Sequence, residues 1–125
     1  MPLTQDERII RTALVRVAHQ ANHGGRGADS YTNVGRLVGL DMELAPDRAT
    51  ISEMLDHISR EEHSAGRPLL SAVVVHENDG ILSIPGRGFF DLARNLGLLQ
   101  GRQAMSEVIF LADELRRVYQ TPYPP

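Results

Sequence analysis

The amino-acid sequence predicts a single α+β domain in which three helices precede a β-hairpin and two further helices follow it. Three observations support this prediction. Apolar residues recur at helical spacing in five separate segments. The uninterrupted apolar run Leu69–Val75 is typical of a buried strand. The pair Asp79–Gly80 is a strong signal for a tight turn between two strands.

The first helix is predicted over Thr4–Gln20. Thr4 is placed to cap its start, and Glu7 follows three residues later, which is the spacing of a capping box. The next segment, Asn22–Ser30, contains three glycines and is predicted to be a mobile connector.

Two more helices are predicted before the strand. Tyr31–Leu40 forms a short helix, and Gly39 loosens its end. Asp47 is predicted to cap a third helix that runs to about Ala65. Gly66 then suits the C-terminal cap of that helix.

The second half of the chain begins with a strand predicted over Leu69–His76. A polar turn leads to a short returning strand at Ile81–Ile84. A fourth helix is predicted over Phe89–Leu96 and a last helix over Met105–Tyr119. Residues 120–125 are rich in proline and are expected to form a flexible tail.

This order of elements matches a winged helix, in which a three-helix core is followed by a β-hairpin wing. In that arrangement Tyr31–Leu40 is the supporting helix and Asp47–Ala65 is the recognition helix. The predicted fold is therefore an α+β, winged-helix-like domain with additional C-terminal helices.

The composition excludes several classes of function. The chain has no cysteine, so it forms neither a disulfide nor a thiolate zinc site. No apolar stretch approaches the ~20 residues that span a bilayer, so no membrane partner is expected, and a cytoplasmic location is predicted. The net charge of −3 provides no overall attraction to nucleic acid, which would therefore need a local basic patch.

Two resemblances bear on the fold. The layout of YTNVGRLVGL, a capped helix and RPLLSAVVV resembles the winged-helix part of alkyltransferase-like DNA-repair proteins. Their Pro-Cys-His-Arg motif is absent here, which excludes alkyl transfer to cysteine. The segments RPLLSAVVV and IPGRGFFDLARNLG are similar to an uncharacterised family of small bacterial and phage-encoded proteins, over Tyr31–Leu98. That resemblance implies no established activity and suggests a role in mobile-element or host-defence biology.

The glycine-rich turn before the fourth helix is the leading candidate site. Gly86 and Gly88 flank Arg87, and glycine permits backbone angles that are closed to other residues. Backbone N–H groups at a helix start can bind an anion such as a DNA phosphate. The alternative is that the glycines only allow a tight connection, with Phe89 and Phe90 anchoring it in the core.

Four further residues are candidates. Arg36 and Arg48 lie on the helices that would face DNA. Arg67 can pair with an acid of the third helix, and Ser71 interrupts an apolar run and needs a hydrogen-bond partner. Arg67 and Ser71 can either line a pocket with Arg87 or serve the structure alone.

Two groups of polar residues are candidates for metal binding or acid–base chemistry. His76–Asp79 can bind a metal or act as acid and base, and it also suits an ordinary hairpin tip. Glu53 and His57 have the i, i+4 spacing of a helical pair, although a solvated helix face is the more ordinary interpretation. Neither group supplies a full set of metal ligands, so no metal and no cofactor are expected.

The sequence therefore predicts a non-enzymatic binding module. One hypothesis is a winged-helix module that contacts nucleic acid through four arginines and two glycines: Arg36, Arg48, Arg67, Arg87, Gly86 and Gly88. The alternative is a protein-interaction module, as a homodimer or with another protein, favoured by acidic residues on the third helix and an apolar last helix. An enzyme or small-anion binder at the glycine turn ranks last, because a nucleophile and a base are lacking.

Overall fold

The computed structural model describes all residues, 1–125, and the α+β class is confirmed. The chain forms five α-helices and two sheets of two strands each. The helices are Gln5–Gln20 (α1), Tyr31–Arg36 (α2), Ala45–Ser64 (α3), Arg87–Asn95 (α4) and Ala104–Gln120 (α5). The strands are Asp29–Ser30 (β1), Val74–Val75 (β2), Glu77–Asn78 (β3) and Ile81–Leu82 (β4).

The start of α1 confirms the predicted capping box. The Thr4 hydroxyl accepts a hydrogen bond from the Glu7 backbone N–H, and the Glu7 carboxylate accepts one from the Thr4 N–H at 2.8 Å. Both groups satisfy backbone donors that have no partner within the helix.

The segment predicted as the central strand is buried, but it is not a strand along most of its length. Leu70–Val73 forms a 3₁₀ turn, and only Val74–Val75 is extended. Two of its backbone donors are satisfied by side chains: Leu69 N–H donates to the Glu114 carboxylate at 2.8 Å, and Ser71 N–H donates to the Ser59 hydroxyl at 3.0 Å. Because buried side chains supply these acceptors, the first part of the segment needs no neighbouring strand, and only Val74–Val75 pairs with one.

The hydrophobic core surrounds this segment. Leu69–Val75 is buried throughout and packs against α1, α3 and α5. The helices contribute a set of fully buried apolar residues: Ile10, Leu14, Val34, Ile51, Ile58, Phe90 and Val118.

The connector after α1 is more ordered than predicted. Asp29–Ser30 pairs in parallel with Val74–Val75. The Tyr119 hydroxyl on α5 donates to the Gly27 carbonyl at 2.7 Å, and the side chain of Asn22 donates to the Tyr119 carbonyl at 2.8 Å. These bonds join the connector to the last helix.

The predicted end of α2 and the predicted start of α3 were wrong by several residues, whereas α3 ends at Ser64, as predicted. Helix α2 stops at Arg36, and the chain leaves it through Gly39 at φ 76°. Helix α3 starts at Ala45 with Pro46 in its first turn, a position that suits proline. Asp47 therefore lies inside the helix, where its carboxylate accepts from the Asp41 N–H at 2.8 Å.

The hairpin is confirmed at its predicted turn. β3 and β4 pair antiparallel, with Glu77 opposite Leu82. Asp79 and Gly80 both have positive φ, at 51° and 79°. Positive φ at both central residues characterises the turn that best fits two twisted strands.

The C-terminal residues contact the folded body at two points. The Tyr123 hydroxyl donates to the Pro68 carbonyl at 3.1 Å, and Arg11 donates to the Pro124 carbonyl at 2.8 Å.

No helix of the chain combines the length and the apolar character needed to cross a membrane.

Candidate functional site

A cleft of about 830 Å³ is bounded by the start of α2, one face of α3 and helix α4. Its floor is apolar and includes Ile51, Leu55, Phe89 and Leu92, all buried. The volume lies in the range of ligand-binding pockets, and apolar pockets with a few convergent polar groups are the usual binding sites.

The glycine turn lies in this cleft, but neither Gly86 nor Gly88 adopts the backbone angles that only glycine permits readily. Helix α4 begins at Arg87, two residues earlier than predicted, so Gly88 lies within its first turn. Gly86 has φ −73°, and Gly88 is not among the residues with positive φ. A Cβ on Gly86 would lie 3.1 Å from His76 Nε2 and 3.3 Å from the Tyr31 hydroxyl, so close packing favours glycine at this position.

Tyr31 and His76 fix the approach of the chain to α4. The Tyr31 hydroxyl oxygen accepts the Gly86 backbone N–H at 2.8 Å. Burial raises the pKa of Tyr31, so the phenol stays neutral. The His76 ring stacks on the Tyr31 ring at 5.0 Å between centroids, with the planes inclined by 40°.

Arg87 lines the cleft, and its charge is neutralised within the chain. Its guanidinium forms a bidentate pair with the Glu107 carboxylate of α5, at 2.8 and 2.6 Å, and lies 5.4 Å from the centre of the Phe90 ring. Arg94 donates to the same carboxylate at 2.8 Å. Hydrogen bonds from Arg87 and then Arg94 lower the pKa of Glu107 to about 2, so Glu107 is ionised at neutral pH.

The other three arginines that the sequence predicted as site residues lie in three different environments. Arg48 lines the cleft and donates to the Met42 carbonyl at 2.9 Å. Arg36 is exposed on α2, outside the cleft lining. Arg67 pairs with the buried Glu62 of α3, which confirms its predicted ion pair and leaves it outside the cleft. The structure therefore does not bring the four arginines together.

Carboxylates dominate the unpaired charge of the cleft. Arg60 was not among the predicted site residues. It lines the cleft and pairs with Asp56 at 2.7 Å. Glu53, Glu77 and Asp91 line the cleft from α3, β3 and α4, and their carboxylates form no hydrogen bond or ion pair.

The suggested Glu53–His57 pair was wrong, because His57 bonds to α1 instead. Its Nδ1 lies 2.9 Å from the Glu7 carboxylate. The hydrogen bond with Glu7, followed by that with the Met1 carbonyl, raises the pKa of His57. Burial raises the pKa of Glu7, but the Thr4 N–H and His57 outweigh it, so the net change is a lowered pKa.

The buried hydroxyl of Ser71 has a hydrogen-bond partner, as the sequence predicted. Its Oγ lies 2.6 Å from Ser59 Oγ, and its N–H also donates to Ser59. Ser71 lines the cleft together with Arg87, whereas Arg67, for which the same alternative was open, does not. Across residues 1–125, no group of three or more histidines and carboxylates is placed to hold a metal ion.

Two further surface features lie outside the cleft, and of these the sequence indicated only the apolar character of the last helix. The first is a stripe on α5 in which Met105, Val108 and Ile109 are 64%, 61% and 63% exposed. The i, i+3, i+4 pattern of these residues indicates a shared helix face, but the pattern alone does not say which face meets the core. The second is a groove of about 420 Å³ between α1 and Leu37.

No protein-family profile, no curated protein and no solved structure matches this chain.

Proposed function

We propose that this protein is a non-enzymatic protein-interaction module that takes a polypeptide segment of a partner into the cleft. One observation carries the proposal. Two of the three arginines that line the cleft, Arg60 and Arg87, are ion-paired within the chain, while Glu53, Glu77 and Asp91 have no partner. A segment with arginine or lysine complements these carboxylates, and an apolar side chain complements the floor.

The charge distribution of the cleft disfavours the binding of a nucleic-acid phosphate backbone there. Seven of the thirteen arginines already lie in ion pairs: Arg11, Arg60, Arg67, Arg87, Arg94, Arg116 and Arg117. Affinity for nucleic acid comes mainly from arginine or lysine charges that are free to replace counterions. The start of α4 contributes only about half a positive charge, which does not offset three carboxylates.

The non-enzymatic part of the proposal rests on the groups within the cleft. Its one histidine, His76, stacks on Tyr31, and its ring forms no hydrogen bond with a hydroxyl. Nucleophilic catalysis needs a nucleophile within hydrogen-bond reach of a base.

As scaffold we propose a winged helix, because α1, α2 and α3 precede the β3–β4 hairpin in that order.

The proposal is tested with two labelled peptides, Arg-Leu-Ser-Gly and Glu-Leu-Ser-Gly, each repeated three times. Fluorescence anisotropy measures their binding to the wild type and to two triple variants with the same change in charge. The cleft variant carries Glu53→Gln, Glu77→Gln and Asp91→Asn. The control carries substitutions outside the cleft: Asp6→Asn, Glu43→Gln and Asp113→Asn.

The arginine peptide is expected to bind the wild type and the control, and to bind the cleft variant about tenfold more weakly, since each partly exposed ion pair contributes roughly 0.5 kcal/mol. Equal weakening in both variants would show that only net charge matters. Failure of both peptides to bind would reject the cleft as a polypeptide site.

Self-association through α5 is the second part of the proposal. An apolar stripe that contacts its own copy across a two-fold axis is self-complementary by symmetry. Sedimentation velocity is expected to show a concentration-dependent dimer that Ile109→Ser weakens. Ile81→Ser removes an equally exposed isoleucine from the hairpin and is expected to leave the dimer intact. A monomer at every concentration would reject this contact.

Nucleic-acid binding is a second candidate function, favoured by Arg36 and Arg48, which are exposed and meet no acid. It predicts binding of a random-sequence duplex that weakens with salt and is lost in the Arg36→Gln/Arg48→Gln variant. Absence of binding at low salt, where screening is weakest, would exclude it.

A further inference from the structure

A second groove, on the outer side of α1, carries charge of the opposite sign. It is lined by seven residues: Gln5, Arg8, Ile9, Thr12, Ala13, Arg16 and Leu37. Its charged groups are both arginines, and no carboxylate lines it. Neither arginine is ion-paired: Arg16 has no hydrogen-bond partner, and Arg8 donates only to the Leu3 carbonyl at 2.8 Å.

Three apolar residues line the groove between the positions of the two arginines, beside Thr12. Ile9 and Leu37 are 42% and 49% exposed, and Ala13 lies one helical turn after Ile9. Arg8 and Arg16 are eight residues apart on one helix, so their Cα atoms are separated by about 12 Å along the axis. The groove thus has an apolar centre and a positive charge towards each end.

We propose that this groove binds an acidic amphipathic helix of a partner protein. A helix laid against α1 places an apolar stripe on Ile9, Ala13 and Leu37, in the way that ridges pack into grooves. Because both helices rise by about 1.5 Å per residue, carboxylates about eight residues apart reach Arg8 and Arg16 together.

The apolar centre distinguishes this partner from nucleic acid. A phosphate backbone would engage the two arginines and leave the exposed surface of Ile9 and Leu37 against polar groups. An amphipathic helix covers both the charges and the apolar surface. The groove shares no lining residue with the cleft, so the two surfaces are tested separately.

The probe is a fluorescein-labelled peptide of Glu-Leu-Ala-Ala repeated four times, built from residues with high helix propensity. Its binding is measured by anisotropy at about 50 and about 200 mM NaCl, which changes the Debye length about twofold. The test variant is Arg8→Gln/Arg16→Gln. The matched control is Arg26→Gln/Arg102→Gln, which removes two exposed arginines that lie outside the groove and form no ion pair.

The wild type and the control are expected to bind the acidic peptide, and the test variant to bind it at least about fivefold more weakly, as two surface ion pairs require. Ile9→Ser is expected to weaken it as well, with an unchanged circular dichroism spectrum. Equal loss in the control pair overturns the proposal, as does binding that salt or Ile9→Ser leaves unchanged. Tighter binding of a 20-bp duplex, lost in the test variant, also overturns it and assigns the groove to nucleic acid.

Discussion

The buried serine pair beneath the cleft gives a prediction whose size follows from the structure. Ser59 Oγ accepts the Ser71 backbone N–H at 3.0 Å and shares a hydrogen bond with Ser71 Oγ at 2.6 Å. Ser59→Ala therefore leaves two buried polar groups without partners. Ser71→Ala removes only the bond between the hydroxyls, because Ser59 keeps the N–H donor. The unfolding free energy is expected to fall by about 2–3 kcal/mol in Ser59→Ala and by about 1 kcal/mol in Ser71→Ala.

The double variant distinguishes this account from simple loss of side-chain atoms. Because both single substitutions break the same hydroxyl–hydroxyl bond, the double variant is expected to lose about 1 kcal/mol less than the sum of the two. Urea unfolding followed by circular dichroism measures the three values, with the exposed Ser64→Ala as a control. Ser59→Ala is also expected to lower Tm by about 10 °C. A larger cost for Ser71→Ala than for Ser59→Ala, or additive costs, would refute the reasoning.

Three further outcomes are expected. Glu62→Gln leaves two arginines without their buried counter-charge and should cost about 3 kcal/mol in urea unfolding; a cost below about 1 kcal/mol would contradict the ion-pair geometry. Because the pKa of His57 is raised in the folded state, protonated His57 stabilises the fold. This stabilisation is complete at pH values below the ordinary pKa of 6.5 and is lost as the pH rises through the folded-state pKa. The urea midpoint should therefore fall over that range, and His57→Gln should flatten the fall; an unchanged slope in the variant would assign it to another group. Gly86→Ala brings a methyl group to within 3.1 Å of His76 and should destabilise the protein by about 1 kcal/mol. Gly88→Ala places its methyl group in open space at an ordinary φ and should stabilise the protein by about 0.5 kcal/mol. Changes in melting temperature of the same sign in both variants would contradict the packing.

Elements whose cause is local could be predicted from the sequence. The start of α1 depends on Thr4 and Glu7, three residues apart. The hairpin depends on two adjacent residues, Asp79 and Gly80, that tolerate positive φ. The pairing of Arg67 with an acid of α3 was also predictable, because the two elements follow one another in the chain.

Other features depend on residues far apart in sequence, and pattern reasoning missed them. The glycine turn attracted attention as a flexible anion site, yet Gly86 is constrained by Tyr31 and His76, and Arg87 is neutralised by Glu107. None of these contacts has a spacing that a local motif would reveal, since they join the start of α4 to three other parts of the chain.

The sequence by itself determined the α+β class, the order of the helices and the hairpin, and the burial of Leu69–Val75. Tertiary structure alone decided the conformation of that segment, because the N–H groups of Leu69 and Ser71 are met by Glu114 and Ser59, and only Val74–Val75 pairs in a sheet. Tertiary structure also decided which charges are free, since an arginine contributes to binding only when no carboxylate of its own chain has already paired with it. The apolar pattern predicts which residues leave water, whereas the folded chain determines which polar groups they find as partners.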